Sequence, residues 1–167
     1  MTVEKAESPR DRLNRTSYIY LNVASGLLAS DIDQLCQTEN LTEAHFRILW
    51  VLCRESGDEG RPMGEIADGL INKAADLTRL VDKLEKLGLV ERFRPDEDRR
   101  RVHACVTTKG KRVFSKLIKE IQNVHVEQWS GLSMTEQRQL VSLLDKIIRN
   151  HELSGSENSW ILRKSST

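Results

Sequence analysis

Apolar residues recur along this chain at intervals of three and four, change rhythm once, and then return to it. From Leu13 to about Cys36, the positions Tyr20, Val23, Ala24, Leu27, Leu28, Ile32 and Leu35 fall at helical spacing. Asn40-Leu41-Thr42 interrupts the pattern, with Thr42 placed to cap a helix and Glu43 suited to its first turn. The run AHFRILWVLCRE that follows is largely apolar, which predicts a deeply buried second helix stopping at a loop over 56–60. Pro62 stands where a first helical residue is tolerated and opens the short helix MGEIADGL. The turn Ile71-Asn72-Lys73 leads into AADLTRLVDKLEKLG. There Leu77, Val81 and Leu84 share a face flanked by Leu80 and Leu87, Asn72 caps the start, and Gly88 ends the helix in the left-handed conformation.

The rhythm then shortens. LVERFRP and RVHACVT are β-branched-rich runs on either side of an arginine-rich turn, which predicts a two-stranded hairpin. Val102, Ala104 and Val106 share one face of it, and His103 and Cys105 the other. Helical spacing resumes from about Lys109 to Gln128 with Phe114, Leu117, Ile121 and Val124. Ser133-Met134-Thr135-Glu136 is a capping box that opens a last helix bearing Leu140, Leu143, Leu144, Ile147 and Ile148. The expected fold is mainly α with a small β-hairpin: a winged helix-turn-helix over 41–108, helical segments over 13–40 and 109–152, a polar N-terminal arm over 1–12 and a flexible tail over 153–167.

Composition adds limits. With 167 residues, 38% hydrophobic and 31% charged, the chain can bury a core and is globular in type. No apolar run approaches the ~20 residues of a membrane span, and MTVEKAESPRDRLNR lacks the apolar core of a secretory signal. A cytoplasmic protein without a membrane partner is expected. Cys36, Cys53 and Cys105 have neither CxxC spacing nor histidine pairs beside them, so buried free thiols are expected, with no metal and no cofactor. Catalysis is not expected either, because the chain shows no nucleophile elbow, phosphate loop or metal spacing and its histidines are far apart.

Chemistry gathers instead in the centre. A short helix props the next one so that its polar side can enter a major groove, and the residues facing away from Leu77, Val81 and Leu84 would read DNA. Those are Lys73, Ala75, Asp76, Thr78, Arg79 and Lys83, with Arg79 suited to a bidentate guanine contact. An ordinary solvated face is the competing reading of Arg79 and Lys83. The turn of the hairpin holds Arg92, Arg94, Arg99, Arg100 and Arg101 around Asp96, Glu97 and Asp98. Arg99 and Arg100 at the tip suit a narrow minor groove, and Asp98 is expected to aim the Arg100 guanidinium. Between Lys73 and Arg101 there are nine basic and seven acidic residues, so contacts must be arranged geometrically. A winged helix that binds protein instead of double-stranded DNA is the alternative, and salt dependence separates the two.

The stretch from Leu41 to Gly110, with LTEAHFRILWVL, EIADGL, TRLVDKLEKLGLVER and DEDRRRVHACVTTKG, resembles the multiple-antibiotic-resistance regulator (MarR) family. The resemblance extends more loosely from Leu13 to Glu152. It implies a homodimer in which the first and last helices of both chains interlock, a palindromic operator, and repression relieved by a small aromatic or anionic ligand. Asp76 stands where the family usually carries a small hydroxyl residue, and Ile71 replaces a common turn glycine. Leu13, Tyr20, Leu140, Leu144, Ile147 and Ile148 are the expected dimerisation residues. Tyr18, His45, Arg47 and Trp50 lie on elements that border the ligand pocket the resemblance implies, with a plain core role the favoured reading of Trp50.

Overall fold

The computed structural model describes residues 7–55, 60–68, 77–96 and 98–153. The loop at 56–59, the expected Asn72 cap and the tail beyond 153 lie outside the described residues. The described elements are α1 (Pro9–Gln37), α2 (Glu43–Glu55), β1 (Arg61–Pro62), α3 (Met63–Asp68), α4 (Leu77–Lys86), β2 (Val90–Phe93), β3 (His103–Val106), α5 (Thr108–Gln128) and α6 (Met134–Leu153).

α1 begins at Pro9, ahead of the expected Leu13, because Ser8 caps it. The Ser8 hydroxyl accepts the Asp11 N–H at 3.1 Å and Pro9 sits where its missing N–H costs nothing. Local signals also end α4. Gly88 adopts φ +68°, its N–H donates to the Glu85 carbonyl at 2.8 Å, and the Leu89 N–H reaches the Leu84 carbonyl at 2.9 Å, a Schellman closure. The box that opens α6 is reciprocal: Ser133 N–H donates to Glu136 Oε2 at 2.8 Å, and Glu136 N–H to the Ser133 hydroxyl at 3.3 Å.

Two further expectations change. The hairpin has a third strand: β1 pairs antiparallel with β3 (Arg61 opposite Ala104, Pro62 opposite His103), giving the order β1-β3-β2. Pro62 therefore lies in an edge strand, where a residue without an N–H is tolerated, and the helix starts at Met63. At the α2 terminus Thr42 precedes the helix as expected, but its hydroxyl bonds His45 Nδ1 at 2.6 Å while Asp33 of α1 accepts the Glu43 N–H at 2.9 Å.

The core lies where α2 meets α1, α4, α5 and the sheet. Ile48, Leu49, Val51 and Leu52 of α2 are buried with Ile32, Cys36, Ile66, Val81, Leu84, Val90, Ala104, Leu117 and Ile121. Burial of each large aliphatic is worth ~1.5–3 kcal/mol, so α2 anchors the arrangement. By contrast every residue from Pro9 to Leu27 is exposed, apolar ones included: Leu13 by 66%, Tyr18 by 69% and Tyr20 by 73%. On α6 Val141, Leu143 and Ile147 are exposed, while Leu140, Leu144 and Ile148 are half-buried.

Candidate nucleic-acid interface

α4 is two-faced. Val81 and Leu84 are buried, and Leu77, Leu80 and Leu87 pack against the same core. That seam turns Thr78 and Arg79 to solvent. Lys83 is half-buried and its charge lies close enough to His45 to act on it. Lys73, Ala75 and Asp76 lie outside the described residues. Of the expected readers, the structure thus displays Thr78 and Arg79 and places Lys83 lower on the flank.

The hairpin behind α4 carries the exposed Arg94, Arg99, Arg100 and Arg101. Arg99 pairs with Asp96 at 3.0 Å. Asp98 works differently from the expectation. Its Oδ1 accepts the backbone N–H of Arg100 at 3.1 Å and its Oδ2 faces Arg101 Nε at 3.5 Å, so it closes the turn rather than aiming the Arg100 guanidinium. The short span between residues 98 and 100 favours the backbone contact. The guanidinium of Arg100 has no ion-pair partner among the described residues.

Arg92 departs from the other arginines. It is turned inward onto α4, where Nη1 meets Asp82 and Glu85 and Nη2 donates to the Thr78 carbonyl at 2.9 Å. A second lock joins α4 to α5. The Thr107 hydroxyl accepts the Gly110 N–H at 3.0 Å and donates to the Gly88 carbonyl at 2.8 Å, while Lys109 Nζ donates to the Leu87 carbonyl at 2.7 Å. The carbonyl end of α4 is the negative pole of its dipole, where a lysine is favoured. Neither lock was anticipated, although the TTKG run at 107–110 was visible.

Three of the four expected ligand-pocket residues, His45, Arg47 and Trp50, have side-chain partners within the chain. His45 is 4% exposed and its Nδ1 accepts both the Thr42 N–H, at 3.1 Å, and the Thr42 hydroxyl. The imidazole thus fills the role that Glu or Gln plays in a capping box, and Thr42-x-x-His45 was the available signal. Burial, with the Lys83 charge adding, holds its pKa below the ordinary value of 6.5. Arg47 is ion-paired to Glu43. Trp50 is half-buried against the core with the Arg54 guanidinium 6.0 Å from its ring centroid. Tyr18 stands exposed on α1.

All three cysteines are free thiols, but only Cys36 is fully buried; Cys53 and Cys105 are half-buried. Burial pushes the Cys36 thiol up to about 12, with Asp33 and Glu43 adding to it, and the Cys53 thiol up to about 11. Burial raises Cys105 as well. Thiols held this way stay protonated near neutral pH and react slowly. No group of histidine, cysteine and carboxylate side chains able to hold a metal occurs among the described residues, and none of the described helices is long and apolar enough to cross a membrane.

A prop helix, a helix with one polar face, and an arginine-bearing hairpin in that order make a winged helix-turn-helix DNA-binding architecture. A family model described as MarR family matches residues 39–101. The transcriptional repressor MprA of Escherichia coli strain K12 is 29% identical over 121 residues, covering 72% of this chain and 68% of that one. Among solved structures, the transcriptional regulator BldR from Sulfolobus solfataricus superposes with a TM-score of 0.67 at 27% identity, covering 86% of this chain and 99% of that one. A MarR family regulator from Streptomyces coelicolor, solved in complex with DNA, gives a TM-score of 0.74 at 22% identity, covering 96% and 99%. Over these spans the chain is similar to MarR family regulators.

Proposed function

We propose that the protein is a sequence-specific transcriptional repressor that binds a palindromic operator as a homodimer and is released by a small aromatic or anionic ligand. The observation that carries this reading is the two-faced α4, whose buried Val81–Leu84 seam presents Thr78 and Arg79 outward beside the arginines of the hairpin. The relative MprA is named as a transcriptional repressor, and the Streptomyces coelicolor neighbour was solved on DNA. In this reading residues 41–108 read DNA, while 13–40 and 109–152 form the dimer. Support for the dimer comes from α1 and α6: Leu13, Tyr20, Leu27, Val141, Leu143 and Ile147 are exposed, an apolar surface of the kind soluble monomers keep small. Obligate pairs bury ~2,000 Å² or more, and a two-fold protein calls for half-sites about one helical turn, roughly 10 bp, apart. It acts on cytoplasmic DNA and performs no catalysis.

Fluorescence anisotropy with the DNA upstream of its own gene, against a scrambled duplex and at two salt concentrations, tests the reading. A salt-sensitive preference for the native duplex is expected, because counterions are released on binding. Absence of binding at low salt refutes it and brings forward the protein-interaction role. Arg79→Ala is expected to cost ~1–3 kcal/mol of operator affinity and to relax base preference; a loss equal on both duplexes would make Arg79 a phosphate contact instead.

A further inference from the structure

We propose that Arg92 is a positioning residue that fixes the recognition helix α4 against the hairpin and thereby sets how well the operator is told from other DNA. This rests on the DNA-reading assignment above. β2 is the strand that leads into the arginine turn, and Arg92 projects from it across to α4. Its side chain is only 21% exposed. Nη1 pairs with Asp82 Oδ1 at 2.5 Å and Glu85 Oε2 at 3.2 Å, Nη2 donates to the Thr78 carbonyl at 2.9 Å, and its own N–H donates to Glu85 Oε1 at 3.3 Å. Residues 78, 82 and 85 form one stripe of α4, since positions three and four apart are neighbours on a helix.

The grip therefore runs along about two turns of α4 and ends on the backbone of Thr78, the residue before Arg79. A planar guanidinium with fixed donor directions holds such a stripe at one angle, which a lysine on a flexible stem cannot reproduce. The same contacts take Arg92 out of competition for phosphate, unlike the exposed Arg99 and Arg100. Reading bases in the major groove and placing arginines in the minor groove must happen together, so the angle between α4 and the hairpin decides whether both fit one sequence.

Removing the arginine alone would leave Asp82 and Glu85 uncompensated near DNA, where they would weaken binding to every sequence. The test therefore uses the neutral combination Arg92→Met, Asp82→Asn, Glu85→Gln beside Arg92→Lys, each checked by circular dichroism and sedimentation. Anisotropy titrations on the native and scrambled upstream duplexes across a salt series give the affinity ratio and the salt slope. The expected result for the neutral combination is a fall in the ratio of about tenfold, the discrimination of one good base contact, with affinity for the scrambled duplex held or raised and the salt slope unchanged. Arg92→Lys is expected to fall between this variant and the parent, and it carries the test if the triple variant does not fold. A ratio kept within about twofold by the folded variants overturns the role of Arg92 alone. A slope reduced by ~1 overturns it in favour of a direct phosphate contact. A parent protein with no preference for its native duplex overturns the DNA-reading assignment and this inference with it.

Discussion

Gly110, in the first turn of α5, offers a substitution on which two general rules disagree in sign. Helix propensity says that Gly→Ala inside a helix stabilises by up to about 1 kcal/mol, through the entropy of the unfolded chain. The packing says otherwise. A Cβ built on Gly110 would lie 2.7 Å from Val106 Cγ2 and 3.0 Å from the Leu89 carbonyl carbon, with the Leu89 oxygen nearer still. Real Cβ atoms essentially never come closer than 3.0 Å to such neighbours, and the obstacle is backbone, so rotation of a side chain cannot relieve it. Moving Leu89 strains a second contact, because its carbonyl accepts the Thr107 N–H at 3.0 Å. Overpacking of this kind costs ~1–3 kcal/mol and the hydrogen bond contributes ~0.5–1.5 kcal/mol net. Against the propensity gain, Gly110→Ala is expected to destabilise by about 1–3 kcal/mol. For a chain of this length that lowers Tm by roughly 2–4 °C per kcal/mol. Urea unfolding followed by circular dichroism measures it, with Gly64→Ala in α3 as the control. A Cβ at Gly64 meets nothing within 4 Å, so that variant should be neutral or slightly stabilising. A Gly110→Ala protein as stable as the parent would refute the close approach of α5 to Leu89.

Two further perturbations address the capping contacts. His45 is held neutral by burial and accepts two bonds from Thr42, so its native pKa lies below the 6.5 it has when unfolded. Its contribution is therefore complete above pH 6.5 and is lost as pH falls from there toward the native value, where the unfolded state takes up the proton first. Urea midpoints at about pH 7.5 and about pH 5 should drop more in the parent than in His45→Gln, and equal drops would count against it. Thr107→Val keeps the shape of the side chain but removes both the cap on Gly110 and the bond to the Gly88 carbonyl. A loss of roughly 1–2 kcal/mol is expected in the same assay, and a change below a few tenths would show the hydroxyl to be dispensable.

Much of the fold was legible because it is written in local periods. The Leu77, Val81, Leu84 seam follows from 3.6 residues per turn, and Gly88 closes α4 because a glycine there can take a positive φ. Ser133 and Glu136 satisfy each other three residues apart, so no distant element is needed to find them. The Ser8-Pro9 start of α1 is equally local, but the polar residues around it show no apolar period to mark a helix. β1 was beyond reach, since two residues show no period and pair only once β3 is beside them.

Charge was the least legible feature. Along the chain, Arg92 looks like Arg94, Arg99, Arg100 and Arg101, and nothing in the linear order separates them. Its partners Thr78, Asp82 and Glu85 come from another element, and they meet it only when β2 is laid against α4 by the burial of Val90 and Leu84. The same holds for Lys116, whose partner Glu39 is 77 positions away, and for Lys109 on the Leu87 carbonyl just past α4. Which residues face inward was encoded in spacing, because burial of an apolar stripe depends on neighbours three and four apart. Which charges are held inside the fold and which stay exposed was settled by the packing of helix on strand, because a guanidinium takes the carboxylates and carbonyls that folding brings within its reach.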